Sequence, residues 1–304
     1  MKTRVGASAF VILCLLTAFT AHPAWPADPT GTDATSEDET HAKSLTELSK
    51  QLANPVSSTW SLQFQQNNYL LDNPGRWSSN LLFQPVLPVA LTNDWNLITR
   101  PVIPLFMTQP HQVLVASPPR AGTETTTGFG DMILAGMLSP APSIAGHWLL
   151  GAGPTFIFPT ASTDFTGQGL WQAGPAVVVG YLSQKWILGA FVQNWTSFAG
   201  DGGRANSNQM NLQPIASYFL GKGWAIGYSG NILADWTADS RNIWTVPLGL
   251  TVNKVVKFGK LPVKVGIAGQ YMPIHPDAFG QQWNIQVSIT PVIPKLIKGT
   301  VLCE

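Results

Sequence analysis

From Trp60 onward the side chains alternate in polarity with a period of two, over stretches longer than the strands of most soluble proteins. Between residues 223 and 236, one face collects Trp224, Ile226, Tyr228, Gly230, Ile232, Ala234 and Trp236. The other face collects Ala225, Gly227, Ser229, Asn231, Leu233 and Asp235. Farther on, Trp283, Ile285, Val287, Ile289 and Pro291 oppose Asn284, Gln286, Ser288 and Thr290. Helical spacing would scatter these sets around a cylinder, whereas a strand separates them. Twelve such stretches are predicted, at 57–69, 77–91, 95–107, 128–139, 147–158, 169–182, 185–198, 208–220, 223–236, 242–254, 261–273 and 283–294.

Strand length decides what encloses them. About eleven residues at ~3.3 Å each, tilted by about 40°, rise roughly 28 Å, the thickness of a hydrocarbon layer. The connections alternate in kind. Short ones fall at residues 92–94, 140–146, 183–184, 221–222 and 257–260. Longer ones fall at 70–76, 108–127, 159–168, 199–207, 237–241 and 274–282. Short turns on one side and long loops on the other are the arrangement of an outer-membrane barrel, and an even strand number returns both termini to the short-turn, periplasmic side.

Tryptophan and charge agree with this threading. Trp60, Trp95, Trp148, Trp186 and Trp224 fall at the predicted short-turn rim, and Trp77, Trp171, Trp195, Trp236, Trp244 and Trp283 at the opposite rim. Indole rings prefer the headgroup level, so two girdles are expected. Only 11% of the 304 residues are charged, against roughly 25% in soluble domains. Apart from Lys185 and Lys254 at strand ends, four charges lie within the predicted strands: Arg100, Asp131, Asp235 and Lys264. A lipid-facing charge at mid-depth costs about 2–4 kcal/mol for Arg or Lys, which assigns these four to the interior as candidate lumen or selectivity residues. Mutual pairing that braces the wall is the alternative reading. The outer loops carry Asp72, Glu124, Asp164, Asp201, Asp239 and Asp277, either as solvated charge or as sites for divalent ions bridging to lipopolysaccharide.

Other classes are excluded on the same composition. A net charge of +1 without Lys/Arg clusters does not fit nucleic-acid binding. The uncharged run 132–162 holds Pro140, Pro142, Pro154 and Pro159, which is poor material for a spanning helix, apart from Asp131 just before it. No two histidines have metal-ligand spacing, so no metal, cofactor or catalytic set is assigned. A barrel hydrolase would draw on His111 or His275 with Ser117 or Asp277, if those converged.

The N-terminus reads as a signal peptide over residues 1–27, with Lys2 and Arg4 before the apolar run 9–21. Residues 28–56 form a polar leader with a short amphipathic helix over 42–53, whose Leu45, Leu48 and Leu52 share a face. Ser44 and Glu47 fit a capping box at its start, and the helix is a candidate plug. The barrel occupies 57–295 and a periplasmic tail 296–304.

Three segments carry a family resemblance. Residues 51–58 followed by Trp60-Ser-Leu-Gln-Phe-Gln65, then Arg100-Pro-Val-Ile-Pro-Leu105, then Thr127-Gly-Phe-Gly-Asp131, resemble the outer-membrane proteins grouped with meta-pathway phenol degradation. That group is also labelled neuromedin U-like. The resemblance spans residues 45–294 and implies a Gram-negative outer-membrane barrel taking up small, in part aromatic, compounds. One departure is the continuation past the last strand through residues 296–304, where the barrel-assembly machinery would read a terminal aromatic.

The expectation is therefore an all-β, antiparallel, up-and-down transmembrane barrel of about twelve strands with a short N-terminal helix. Its interior is expected to be lined by Gln63, Gln65, Asn80, Gln84, Asn231, Gln270, Asn284, Gln286 and small residues. The expected function is a narrow channel for small solutes by passive diffusion, with outer-membrane lipid and lipopolysaccharide as surroundings. A closed structural barrel and a hydrolase are the alternatives.

Overall fold

The computed structural model describes residues 34–73, 75–116, 119–297 and 299–302. The signal-peptide reading of 1–27, the leader up to residue 33, Ser117, Cys303 and Glu304 lie outside the described residues. The chain divides into two units, Met1–Glu39 and Thr40–Glu304; of the first, only helical backbone from residue 34 is described. The second holds the strands.

A helix, α1 (Ala34–Ala53), comes first. The strands follow as β1 (Ser61–Leu71), β2 (Trp77–Ala90), β3 (Trp95–Ala116), β4 (Pro119–Gly128), β5 (Met132–Pro140), β6 (Trp148–Phe158), β7 (Leu170–Leu182), β8 (Trp186–Gly200), β9 (Asn208–Gly221), β10 (Trp224–Tyr228), β11 (Ile232–Asp235), β12 (Trp244–Phe258), β13 (Leu261–Ile274) and β14 (Gln281–Pro291). A one-turn helix, α2 (Pro142–Ala145), sits in the β5–β6 connection. All neighbours pair antiparallel, and β1 pairs with β14 from Phe64↔Ile289 to Leu71↔Gln281, which closes the sheet. Among the described residues β4 pairs only with β3. β10 and β11 both lie between β9 and β12 and together make one wall strand. The wall is thus a twelve-stranded closed antiparallel barrel, as the period-two pattern predicted.

The outward face is a belt of exposed apolar side chains, among them Leu150, Val179, Leu188, Leu250, Ile267 and Ile285. Such a continuous band would be costly in water and suits a hydrocarbon layer. Trp77, Trp95, Trp148, Trp171, Trp186, Trp224, Trp236 and Trp283 stand exposed near the strand ends. Lys254 lays its ammonium 4.5 Å from the Trp224 ring centroid, a polar tip held against an amphipathic ring.

Several boundaries differ from those the sequence predicted. Residues 108–127, read as a loop, form the β3–β4 hairpin, where β-branched Thr123, Thr125, Thr126 and Thr127 pair with the outer half of β3. Thr127-Gly-Phe-Gly-Asp131 is not the start of a strand, because β4 ends at Gly128 and β5 begins at Met132. The helix begins by Ala34 rather than at 42, so Ser44 lies inside it and cannot be an N-cap. Trp60 and Trp195 leave the girdles: they are 6% and 3% exposed and turn inward, each spending its indole N–H on a buried acceptor. Those acceptors are Pro88 O at 2.7 Å and Thr155 Oγ1 at 3.0 Å. A large ring with a polar handle serves either setting, and spacing cannot tell them apart.

Proline interrupts the ladder in two places. Between β2 and β3 the pairing lapses from Gln84–Val86 against Arg100–Val102, where Pro85 faces Pro101 without a donor on either side. Between β10 and β11 the strand opens at Ser229–Asn231, beside Pro214 on β9 and Pro247 on β12, and pairing resumes in the same register beyond it. Gly230 there has φ +126, and a Cβ on it would overlap the Pro247 ring. Replacing Gly230 with Val should therefore destabilise the barrel by about 2 kcal/mol in urea unfolding from detergent micelles. Gly269→Ala, where a Cβ meets nothing within 4 Å, should change it by less than about half of that.

Candidate functional site: the lumen

Inward positions divide the lumen into two unlike halves. On the side of β1, β2, β13 and β14 the strands present amides, which bond to one another in a chain. Gln63 donates to Gln65 (2.9 Å), Gln84 to Gln65 (3.3 Å), Gln65 to Asn67 (3.2 Å) and Asn67 to Asn80 (2.7 Å). Asn284 donates to both Asn67 and Gln270 at 3.2 Å, and Gln270 donates to Ser229 (2.8 Å) and Gln286 (3.1 Å). Cross-strand register sets this up, since Gln63↔Gln84 and Asn67↔Asn80 are direct pairs on β1 and β2, and Gln270↔Asn284 on β13 and β14.

The opposite half departs from the expected polar lining. Ile98, Ala135, Met137, Leu149, Val178, Ile187, Phe191, Ile215 and Phe219 form a buried apolar cluster inside the wall, with Val56 packed into it. Over β6–β8 apolar residues therefore occupy both faces, one toward the surroundings and one toward this interior core. Toward the long-loop end the lining turns polar again. Thr155 accepts from both Gln193 (2.9 Å) and Trp195, and Gln209 donates to Gln172 (2.9 Å) and Gln168 (3.0 Å).

The chain before β1 lines part of this space. Leu45 is buried with its Cβ near Gly223, and the Gly223 amide donates to Thr46 Oγ1 at 3.4 Å. Leu48 and Leu52 are half-buried, and Ser49 is buried in the turn between them. Gln51, Leu52, Ala53, Asn54, Pro55 and Ser57 line the interior cavity, whose volume is about 390 Å³. Lys264, from the inner face of β13, donates to the Leu52 carbonyl at 3.0 Å. That carbonyl belongs to the last helical turn, where the partial negative charge of a helix favours a cation.

The four candidate charges occupy different places. Arg100 and Lys264 both line the cavity, where none of the lining residues among those described is acidic. Arg100 lies in the proline-marked lapse between β2 and β3, with its guanidinium carbon 5.0 Å from the Phe191 ring centroid. Asp131 sits instead at the β4–β5 break, where its carboxylate accepts from the Ala161 amide (3.1 Å) and the Gln168 amide (2.6 Å). Asp235, at the end of β11, accepts from the Thr237 amide (3.0 Å) and hydroxyl (2.6 Å) in a local turn.

The Asp131 arrangement explains the Thr127–Asp131 motif. Phe129 N donates to Ser162 Oγ (2.9 Å), Thr166 Oγ1 to Phe129 O (2.7 Å) and Thr160 Oγ1 to Gly130 O (3.2 Å). The motif is a clasp that holds the β6–β7 loop against the β4–β5 break. Gly130 is needed because a Cβ would run into Pro104 and Met107. The loop histidines do not form a nucleophile-and-base set among the described residues. His111 stacks on Phe165 at 3.5 Å, and His275 accompanies Asp72 at 4.0 Å. Asp277 spends its amide on Asn242. The acidic loop residues do not gather either: among the described residues no three His, Cys, Asp or Glu side chains come together. Asp164 pairs with Arg204 at 3.5 Å.

Asp131→Ala should leave two loop amides without acceptors and cost about 2 kcal/mol. Limited proteolysis within residues 159–168 should accelerate, while the ion preference of single-channel currents should stay unchanged.

Comparison with known proteins places this geometry. No curated protein matches the chain in sequence. The COG4313 outer membrane channel from Pseudomonas putida F1 is similar in fold, with a TM-score of 0.55 at 14% identity, covering 79% of this chain and 98% of that one. A FadL homologue from Pseudomonas aeruginosa gives a TM-score of 0.32 at 10% identity over 80% of this chain and 93% of that one, and a bacterial polysaccharide outer membrane secretin gives 0.33 at 10% over 78% and 99%. Both fall too low to carry an argument. A twelve-stranded wall with an apolar belt and an amide-lined interior is the outer-membrane type of barrel, a fold that the Pseudomonas putida structure shares. Over residues 58–253, two of the three resembling segments included, the sequence matches a family model, and the chain belongs to the family described as "Putative MetA-pathway of phenol degradation".

Proposed function

We propose that the protein is an outer-membrane channel through which small solutes with an apolar or aromatic body move by passive diffusion. The observation that carries this reading is the two-sided lumen. A cavity of about 390 Å³ has bonded amides on one wall, while Ala135, Phe191 and Ile215 bring the edge of the apolar cluster to the other, a size and character suited to a small organic molecule. Neutral amides already bonded to one another hold an entering solute only weakly, which passage requires.

In this reading the short-turn end faces the periplasm and the signal peptide directs export. The barrel-assembly machinery inserts the wall into lipid and lipopolysaccharide, and the long loops meet the outside. Leu45, Leu48 and Leu52 make α1 a plug, and Lys264 fixes its last turn. Arg100 and Lys264 supply the charge that solutes meet inside, while Asp131 and Asp235 act on loops.

Liposome swelling with neutral solutes tests the proposal on the intact protein and on a variant lacking residues 42–53. The intact protein should admit small aromatic alcohols faster than sugars of similar mass, and the deletion should raise swelling rates several-fold. Exclusion of every solute by both proteins would establish a closed structural barrel instead, and release of fatty acid from the vesicles would establish a hydrolase.

A further inference from the structure

Three donors that face the lumen have more capacity than the protein uses. Arg100 Nη1 is buried without a hydrogen-bond partner, although its guanidinium rests against Phe191. Thr290 Oγ1 is likewise buried without a partner, and Thr290 stands directly across the strand pair from Lys264. Lys264 has spent one N–H on Leu52, and an ammonium carries three. Arg100 and Lys264 line the same cavity, and among the described residues no acidic side chain lines it to offset either. Two like charges and a guanidinium with a spare N–H in a confined space favour an anion as their neighbour.

We infer that Arg100, Lys264 and Thr290 form a binding site for the carboxylate of a small organic acid, deepening the channel reading on which this rests. A planar two-oxygen anion matches the guanidinium fork, and the second cation and the hydroxyl reach it from β13 and β14. The rest of the site selects the body of the ligand. Phe191, Val102, Ile133 and Ile215 line the same cavity and offer an apolar surface to a ring or short chain. Two cations without further charge suit a monoanion with such a body better than a strongly hydrated inorganic dianion. The lumen then discriminates by head group and body together: the acid end is held near α1 and the apolar end lies along the inner cluster.

Isothermal titration of the full chain in detergent, with benzoate, benzamide and inorganic phosphate as probes, tests the site. Benzoate should bind measurably more tightly than benzamide or phosphate. Arg100→Gln and Lys264→Gln should each weaken benzoate about tenfold while leaving benzamide within twofold, the scale of losing one hydrogen bond to a charged group. Arg100→Lys, which keeps the charge and loses the fork, should fall between. Heat-modifiable gel migration confirms that each variant is folded before titration. Equal binding of benzoate and benzamide, equal binding of benzoate and phosphate, or benzoate binding indifferent to both Gln variants would each overturn the inference. Swelling with neutral solutes separates the two readings: benzoate bound without any flux removes the channel and keeps the site, whereas flux without a benzoate preference removes the site and keeps the channel.

Discussion

Backbone closure governs the rest of this molecule. A peptide group in hydrocarbon has no water to bond, so a sheet can cross a membrane only if every strand has two neighbours. The seam between β1 and β14 meets that demand, and it dictates the two-faced pattern of the sequence. Once the ring is closed, alternate side chains must face lipid and lumen. A residue's parity then decides its solvent before its identity decides anything else.

Within that constraint the interior is specialised. The amide chain from Gln84 to Gln286 satisfies its members mutually, which keeps a polar wall from collapsing onto itself and leaves few strong anchors for a passing solute. Across from it, the cluster around Met137, Leu149, Val178 and Ile187 packs as a protein core does and takes in Val56 from the segment after α1. Of the cations, Lys264 reaches the helix end and Arg100 rests against Phe191 of the cluster. Proline shapes the same region: Pro85 and Pro101 part β2 from β3 beside Arg100, and Pro214 and Pro247 open the wall beside Gly230.

Much of this was legible before any coordinates. Strand number, antiparallel order, alternating turn lengths and most rim tryptophans follow from period two and bilayer thickness, because both act on single strands. What escaped depends on partners far away in sequence. Trp195 lies at a strand end like its fellows, yet Thr155 on another strand draws it inward. Asp131 joined the candidate lumen charges because it falls inside the predicted stretch 128–139, and the two amides that its carboxylate accepts from belong to a loop some thirty residues later. The apolar inner cluster is also invisible to alternation, since apolar residues on both faces read simply as a richly hydrophobic strand. Of the four candidate charges only Arg100 and Lys264 line one cavity, and no spacing rule encodes that they share it.

The seam also orders the making of the molecule. Asn68 and Asn284 touch across 216 positions of chain, so the ring cannot shut until nearly the whole polypeptide has been delivered. Contacts of such long range form late, after local hairpins have already grown. The segment that ends up inside, residues 51–57, precedes the first strand and is tethered to it from the outset. It can therefore be wrapped as the sheet curls, and never has to thread a finished pore.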